Sequence, residues 1–122
     1  MASRTIARTE WRGFFDHLSD AVVGKRAEIE VASLDLGDQI VAEWMPLLGI
    51  TYDARDDLLD VALSGLNHLI RRPREIYVQE GPRGVETVAV LSEDGVKQVL
   101  RLKDPLMLPA ASTGSGAARQ PS

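Results

Sequence analysis

The chain has 122 residues, of which 44% are hydrophobic and 26% are charged, a composition typical of one globular domain with its own core. It contains no cysteine, which excludes disulfides, thiolate metal sites and cysteine nucleophiles. Its net charge of −4 makes the whole molecule a poor electrostatic match for nucleic acid or an anionic membrane. Membrane binding is therefore not expected, and nucleic acid is a disfavoured partner.

The N-terminal residues and the overall hydropathy bear on location. Residues 1–8 lack the apolar central run of a secretory signal, and they are predicted to form a flexible N-terminus. No stretch approaches the roughly 20 apolar residues that a membrane helix needs. A cytoplasmic location is the resulting expectation.

An amphipathic helix is predicted next. It should begin after Thr9, whose hydroxyl can cap the first turn, and it should end at Gly24. Between these residues the apolar side chains recur at the spacing of one helix face: Trp11, Phe14, Phe15, Leu18 and Val22. The stripe predicts a helix that packs on the core, with a partner-binding face as the alternative.

After Gly24 the hydrophobic period changes to two, which is typical of half-buried strands. Pro46 is expected to break the ladder, because it has no amide hydrogen to donate. The pair Asp94-Gly95 predicts a tight hairpin. In chain order, the seven predicted strands are residues 28–32, 39–45, 48–52, 58–63, 75–79, 85–91 and 96–102.

Two segments are less regular. Residues 65–73 fit either a helical turn or a strand, with the strand slightly favoured. Residues 109–122 offer too little apolar surface to offset the entropy of ordering them, which predicts a disordered tail. The expected fold is a single α+β domain over residues 9–108. Its N-terminal amphipathic helix is followed by about seven antiparallel strands, in a curled sheet or a small barrel.

Charge is distributed unevenly along the chain. Residues 28–60 contain nine acidic residues against Arg55 alone, whereas residues 71–103 contain seven basic residues against five acidic ones. One explanation is that strands from the two halves lie side by side and their outward charges pair. The other is a molecule that self-associates, acidic face to basic face.

The two histidines are the first candidates for chemistry. His17 falls on the polar side of the predicted helix, where we expect it to be solvated. His68 is followed closely by three arginines, and a guanidinium can grip two oxygens at once. The candidate anion-binding residues are His68, Arg71, Arg72 and Arg74. The alternative is an exposed strand whose arginines pair with the acidic strands.

Other motifs argue against specific chemistries. The aspartates at positions 53, 56, 57 and 60 lack the alternation and central glycine of a calcium-binding loop, so a solvated turn is expected. No serine lies in a nucleophile-elbow context, and no glycine pattern matches a phosphate-binding loop. We predict no catalytic residue, metal site or cofactor, and the chain is not favoured as an enzyme.

Three segments carry a family resemblance: W-R-x-F-F-D at 11–16, P-L-x-G-I at 46–50 and H-L-I-x-x-P at 68–73. With them, residues 5–103 resemble a family of small bacterial proteins known only as a domain of unknown function. The resemblance implies a complete single-domain protein and no particular reaction. A leading helix before bent strands also looks like an Sm-like barrel, whose family members form rings and bind RNA. The acidic surface and the extra C-terminal hairpin depart from that pattern.

Three functional hypotheses follow. The leading one is a non-enzymatic interaction or structural module that binds another protein or itself. The second is an anion-binding or nucleic-acid-binding small barrel, Sm-like by analogy. The third is a small-molecule carrier or an unrecognised enzyme that works from a pocket between helix and sheet.

Overall fold

A computed structural model describes residues 2–104 of this protein, and these residues form eight antiparallel strands and one α-helix. The elements in chain order are β1 (Ala2–Ile6), a 3₁₀ turn (Arg8–Glu10), α1 (Trp11–Ala21), β2 (Arg26–Ser33), β3 (Gly37–Asp53), β4 (Leu58–Leu63), β5 (Leu66–Arg71), β6 (Pro73–Gly81), β7 (Gly84–Ser92) and β8 (Lys97–Lys103). The strand order is β1-β6-β7-β8-β2-β3-β4-β5, with β1 and β5 at the edges. The expected α+β class is confirmed, with a curled sheet that does not close into a barrel. The predicted tail, 109–122, lies outside the described residues.

β3 joins the two parts of the sheet. Its first half pairs with β2 as far as Pro46, opposite Arg26, and its second half pairs with β4 from Leu47 onward. The predicted break at Pro46 is wrong: the two expected strands 39–45 and 48–52 are one continuous strand. Pro46 lies where β3 changes neighbours, so its missing amide hydrogen interrupts neither ladder.

The first residues of the chain form a strand. β1 pairs with β6 from Ala2, opposite Glu80, to Ile6, opposite Ile76. Ile6 is 2% exposed, and its carbonyl accepts a hydrogen bond from Trp11 Nε1 (2.9 Å). β1 therefore occupies most of the segment that was expected to be a flexible N-terminus, residues 1–8, while the domain bounds 9–108 stay a prediction. A segment of five residues with one buried side chain is too short to show the two-residue hydrophobic period of a strand.

α1 is shorter than predicted, but its apolar stripe is confirmed. The cap position is Glu10, which makes no side-chain capping hydrogen bond, so the prediction of Thr9 as the cap is wrong. A 3₁₀ turn leads into the helix instead, and the Glu10 amide donates to the Ala7 carbonyl (2.8 Å). At the other end the helix stops at Ala21, and Gly24 lies in the following turn with φ +87°. The stripe residues buried in the core are Trp11, Phe15, Leu18 and Val22.

α1 packs mainly against β3, on the concave side of the curled sheet where the core lies. The Ser19 hydroxyl fixes the contact, because it donates to the Ile50 carbonyl (2.7 Å) and accepts from the Ile50 amide (2.9 Å). No helix of the described chain is long and apolar enough to cross a membrane.

Two local expectations are confirmed. The stretch 65–73 contains strand β5, which pairs along its whole length with β4. The β7–β8 hairpin turns at Gly95, with φ +86°, and the Val96 amide donates to Asp94 Oδ1 (3.1 Å). β1 and β5 are added to the predicted strands and two others merge, which brings the total to eight.

Phe15 should be the more costly of the two phenylalanines to truncate. Phe15 is 0% exposed, so Phe15→Ala should lower the free energy of unfolding by about 3–5 kcal/mol in urea denaturation. Phe14 is half-buried at the margin of the core, so Phe14→Ala is the matched control and should cost clearly less. Equal losses at the two positions would contradict this assignment of the helix faces.

Candidate functional site

The six strands from β1 to β3 in sheet order turn one face away from the core. One transverse row follows the strand register across it: Thr5, Tyr77, Ala89, Val99, Glu30 and Ile40. We call the surface that contains this row the outer face. Most residues of the row are apolar. Their neighbours along each strand, such as Val88 and Leu100, are already buried in the core on the opposite side of the sheet. The row is therefore more apolar than is usual for a solvated sheet face, whereas the outward positions two residues away along the strands are mostly polar, as at Gln79, Thr87, Lys97 and Arg101.

A groove of about 570 Å³ lies on the outer face. Its floor includes Ala89, Leu91 and Val99, and Tyr77, which is 38% exposed, lines it as well. Two cations, Lys97 and Arg101, also line it. An apolar floor with cations beside it suits apolar side chains that are flanked by carboxylates.

Charges on the outer face pair across β2 and β8. Arg101 Nη1 lies 3.2 Å from Glu28 Oε1 and 2.9 Å from Glu30 Oε1. These contacts connect the acidic and basic halves of the sequence, so the predicted pairing of outward charges is confirmed at Arg101. Hydrogen bonds from Arg101, and then from Asp38, hold the pKa of Glu30 below its usual value. The same contact with Glu30 raises the pKa of Asp38.

The β2–β3 hairpin ends in an exposed arm, which we define as residues 34–41. β4 pairs with β3 only from Leu47 onward, so within residues 2–104 the first half of β3 pairs with β2 alone. All eight residues of the arm are exposed. Four of them are large aliphatic residues: Leu34, Leu36, Ile40 and Val41. Two are aspartates, Asp35 and Asp38.

The four predicted anion-binding residues do not form one cluster of contacts. The ring of His68 on β5 hydrogen-bonds with the Gln98 side chain of β8. Arg72 lies at the bend between β5 and β6, and its Nε is 3.3 Å from Glu93 Oε1. Arg71 and Arg74 are exposed. Within residues 2–104, no hydrogen bond or ion pair joins any two of the four, and the anion site stays a prediction.

A second polar cluster lies in part of the chain that was expected to be flexible or solvated. Arg8 Nη1 donates to Tyr52 Oη (3.1 Å) and Asp57 Oδ1 (3.2 Å), and Arg8 Nη2 donates to the Pro73 carbonyl (2.8 Å). The Tyr52 hydroxyl donates to Asp57 Oδ1 (2.7 Å). Burial, and then the hydrogen bond to Asp57, raise the pKa of Tyr52. The cluster ties the N-terminal segment to the β3–β4 turn and to the start of β6.

The backbone beside this cluster is strained, because Asp57 and Arg72 both have φ near +50°. The Arg72 amide donates to the Asp57 carbonyl (2.8 Å), which holds the two strained residues together. The Arg8 contacts hold Asp57 in place from the other side. We interpret the cluster as a structural clamp. In the described part of the chain, no three histidine, aspartate or glutamate side chains come together as metal ligands.

The comparisons with known proteins agree with the predicted resemblance. The sequence matches a family of unknown function, DUF5335, over residues 2–111. The chain belongs to this family. It is also similar to an uncharacterised protein of the bacterium Aquifex aeolicus (strain VF5), at 36% identity over 110 residues, which cover 89% of this chain and 99% of the relative. No solved structure matches the chain.

Membership of DUF5335 confirms the resemblance inferred from the three motifs, and the match extends past both ends of the span 5–103. The three motifs lie in α1, in β3 and at the passage from β5 to β6. The arm falls between the first and the second motif, whereas most of the outer face, on β6 to β8, follows the third. One signal for the outer face was present in the sequence. β7 reads G-V-E-T-V-A-V-L-S, with apolar residues at consecutive positions, so both of its faces are apolar.

Arg101→Gln should raise the pKa of Glu30 towards the ordinary glutamate value, because the Arg101 hydrogen bond is the largest cause of the lowering. A carbon-13 carboxyl NMR titration would measure it. A lowered folded pKa means that Glu30 contributes stability above its unfolded pKa, which is lost as pH falls through the folded value. The Arg101→Gln protein should therefore lose less stability than the wild-type protein as the pH falls through this range. Arg83→Gln is the control, and an unchanged Glu30 pKa in Arg101→Gln would contradict the assignment.

Proposed function

We propose that this protein is a non-enzymatic interaction module that binds a second copy of itself through the arm and the outer-face groove. The observation that carries the proposal is the presence of both surfaces on one molecule: an arm with four exposed aliphatic side chains and an open groove with an apolar floor. Soluble monomers rarely leave large contiguous apolar patches uncovered. The proposal includes a cytoplasmic location, which cell fractionation would test.

Charge complementarity favours a second copy as the partner. The arm carries Asp35 and Asp38, while Lys97 and Arg101 line the groove. Within its own copy, Asp38 is crowded by Glu30, which raises its pKa. A cation supplied by another copy would favour the ionised form of Asp38. Opposite charges at the rim of a contact also steer the two surfaces into register.

The position of the arm favours a closed dimer. Ala32, at the base of the arm, pairs directly with Lys97 of the groove. Because arm and groove adjoin, two copies related by a two-fold axis can each place an arm in the groove of the other. Such a contact is the same on both copies and closes after two chains, whereas a head-to-tail contact could continue into a filament.

Removing apolar side chains from the arm should abolish association. We expect the wild-type protein to show twice the 13.3 kDa chain mass in size-exclusion chromatography with light scattering. Leu34→Ser with Leu36→Ser should raise the dimer Kd by at least about 100-fold, since each leucine buried at a contact contributes about 1.5–3 kcal/mol. Leu48→Ser is the matched control, because Leu48 is an exposed leucine in the other half of β3. A wild-type monomer at all concentrations and salt levels would overturn the proposal.

A mixing experiment tests whether the arm enters the groove. Ala89→Arg should block the groove and give a monomer, whereas Ala54→Arg, in the exposed β3–β4 turn, should leave the dimer intact. Mixing Ala89→Arg with the Leu34→Ser, Leu36→Ser protein should restore a heterodimer, because one arm and one groove remain functional. A dimer that survives Ala89→Arg would show that the arm binds elsewhere.

A further inference from the structure

A second groove lies between α1 and the β6–β7 hairpin, and it shares no lining residue with the outer-face groove. Its volume is about 280 Å³, and its apolar lining includes Phe14, Leu18, Val22 and Val85. Leu18 and Val22 are buried, whereas Phe14 and Val85 pack against the core and remain only half-buried. An apolar ligand in this groove would therefore gain contacts with side chains that the fold leaves partly uncovered.

A third groove, of about 310 Å³, adjoins the second one and has an excess of cations. Its ionisable lining residues are Lys25, Arg83, Arg101, Lys103, Glu86 and Asp104. This excess of positive charge contrasts with the net charge of −4 of the whole chain. Lys25 and Arg83 line both the second and the third groove, so these two cations lie where the apolar surface meets the cationic one.

Lys25 has a poorly matched partner for a cation in its position. Its side chain is only 15% exposed, and a partly buried cation needs an anion close by. Within residues 2–104 its ion pair is with Asp104, whose Oδ1 lies 3.8 Å from Lys25 Nζ. Asp104 Oδ2 lies 3.4 Å from Arg83 Nη1. One carboxylate is thus shared by two cations, and both distances exceed the roughly 2.7–2.9 Å of a strong charge-assisted hydrogen bond.

A phosphate group matches this arrangement better than a carboxylate does. It carries about two negative charges and three acceptor oxygens, so it can accept hydrogen bonds from Lys25 and Arg83 at the same time. Lys103 can supply a further donor, because Leu102 is buried in the core and the next side chain along β8 is turned outward. The Lys103 ammonium lies 4.8 Å from the centre of the Trp44 ring, and no carboxylate of the described chain pairs with it.

We propose that the two adjoining grooves bind a soluble amphiphilic phosphate, a molecule with one alkyl chain and one phosphate group. The alkyl chain lies against Phe14 and Val85, and the phosphate takes the place of the Asp104 carboxylate between Lys25 and Arg83. Asp104 is then an internal competitor that the ligand displaces. This site does not depend on the proposed dimer, which uses the arm and the outer-face groove.

Isothermal titration calorimetry with octyl phosphate, kept below its micelle concentration, tests the proposal at constant ionic strength. The wild-type protein should bind one molecule per chain. Octanol and inorganic phosphate each carry one half of this ligand, and each should bind at least about tenfold more weakly, because each fills only one groove. Equal affinity for octyl phosphate and inorganic phosphate would show that the apolar groove is not used and would overturn the proposal.

Phe14→Ala tests the apolar half of the site. It should raise the Kd for octyl phosphate by at least about fivefold and leave the weak binding of inorganic phosphate unchanged, because only the alkyl chain loses a contact. Leu48→Ala is the matched control, since Leu48 is an exposed apolar residue outside both grooves. The same Kd for octyl phosphate in the two variants would contradict the placement of the alkyl chain.

Asp104→Asn tests the displacement of the carboxylate. It removes the competing charge and should lower the Kd for octyl phosphate by at least about threefold. Asp20→Asn removes the same charge from an exposed residue of α1 outside both grooves, and it should leave the Kd unchanged. A thermal melt of each variant would establish that it is folded. Equal affinity in these two variants would overturn the assignment of the phosphate to Lys25 and Arg83.

Discussion

Two hydrogen-bonded ladders meet on strand β3, which pairs first with β2 and then with β4 while α1 packs against it. Its 17 residues span about 56 Å at roughly 3.3 Å per residue, far more than the 8 residues of β2 can cover. The change of partner at Pro46 lets the strand pair with both parts of the sheet. Because β4 pairs only with its second half, the first half has one edge that no other described strand pairs with, and it ends in the exposed arm.

Within residues 2–104, the one α-helix covers only one face of the sheet. An α-helix of 11 residues is about 16 Å long, whereas six strands at about 4.8 Å spacing form a sheet roughly 29 Å wide. The sheet curls around the helix to bury one face, and the described chain has no second helix for the other. Several outward residues there are nevertheless apolar, as at Ala89 and Val99. We base the proposed self-association on this difference, because the sheet has more apolar surface than the helix can bury.

Two grooves at different places on the molecule each have apolar side chains in their lining. On the outer face the exposed apolar surface is extensive, and the nearby acidic arm matches the cations of the groove, which favours a second chain as its cover. Beside α1 the groove is smaller, and Lys25 and Arg83 at its edge form ion pairs with Asp104.

Short-range features of this protein could be predicted from the sequence: the buried stripe of Trp11 and Phe15 follows from the helical period, and the hairpin at Gly95 follows from turn chemistry. The family and the α+β class could also be predicted from the sequence. Tertiary structure decided the pairing of β1 with β6, the passage of β3 through Pro46 and the Arg8 clamp to Tyr52. It also separated the predicted anion-binding residues among different partners and brought the arm beside the groove. These features join residues tens of positions apart, and strand alternation specifies which face a residue takes but not which strand lies next to it.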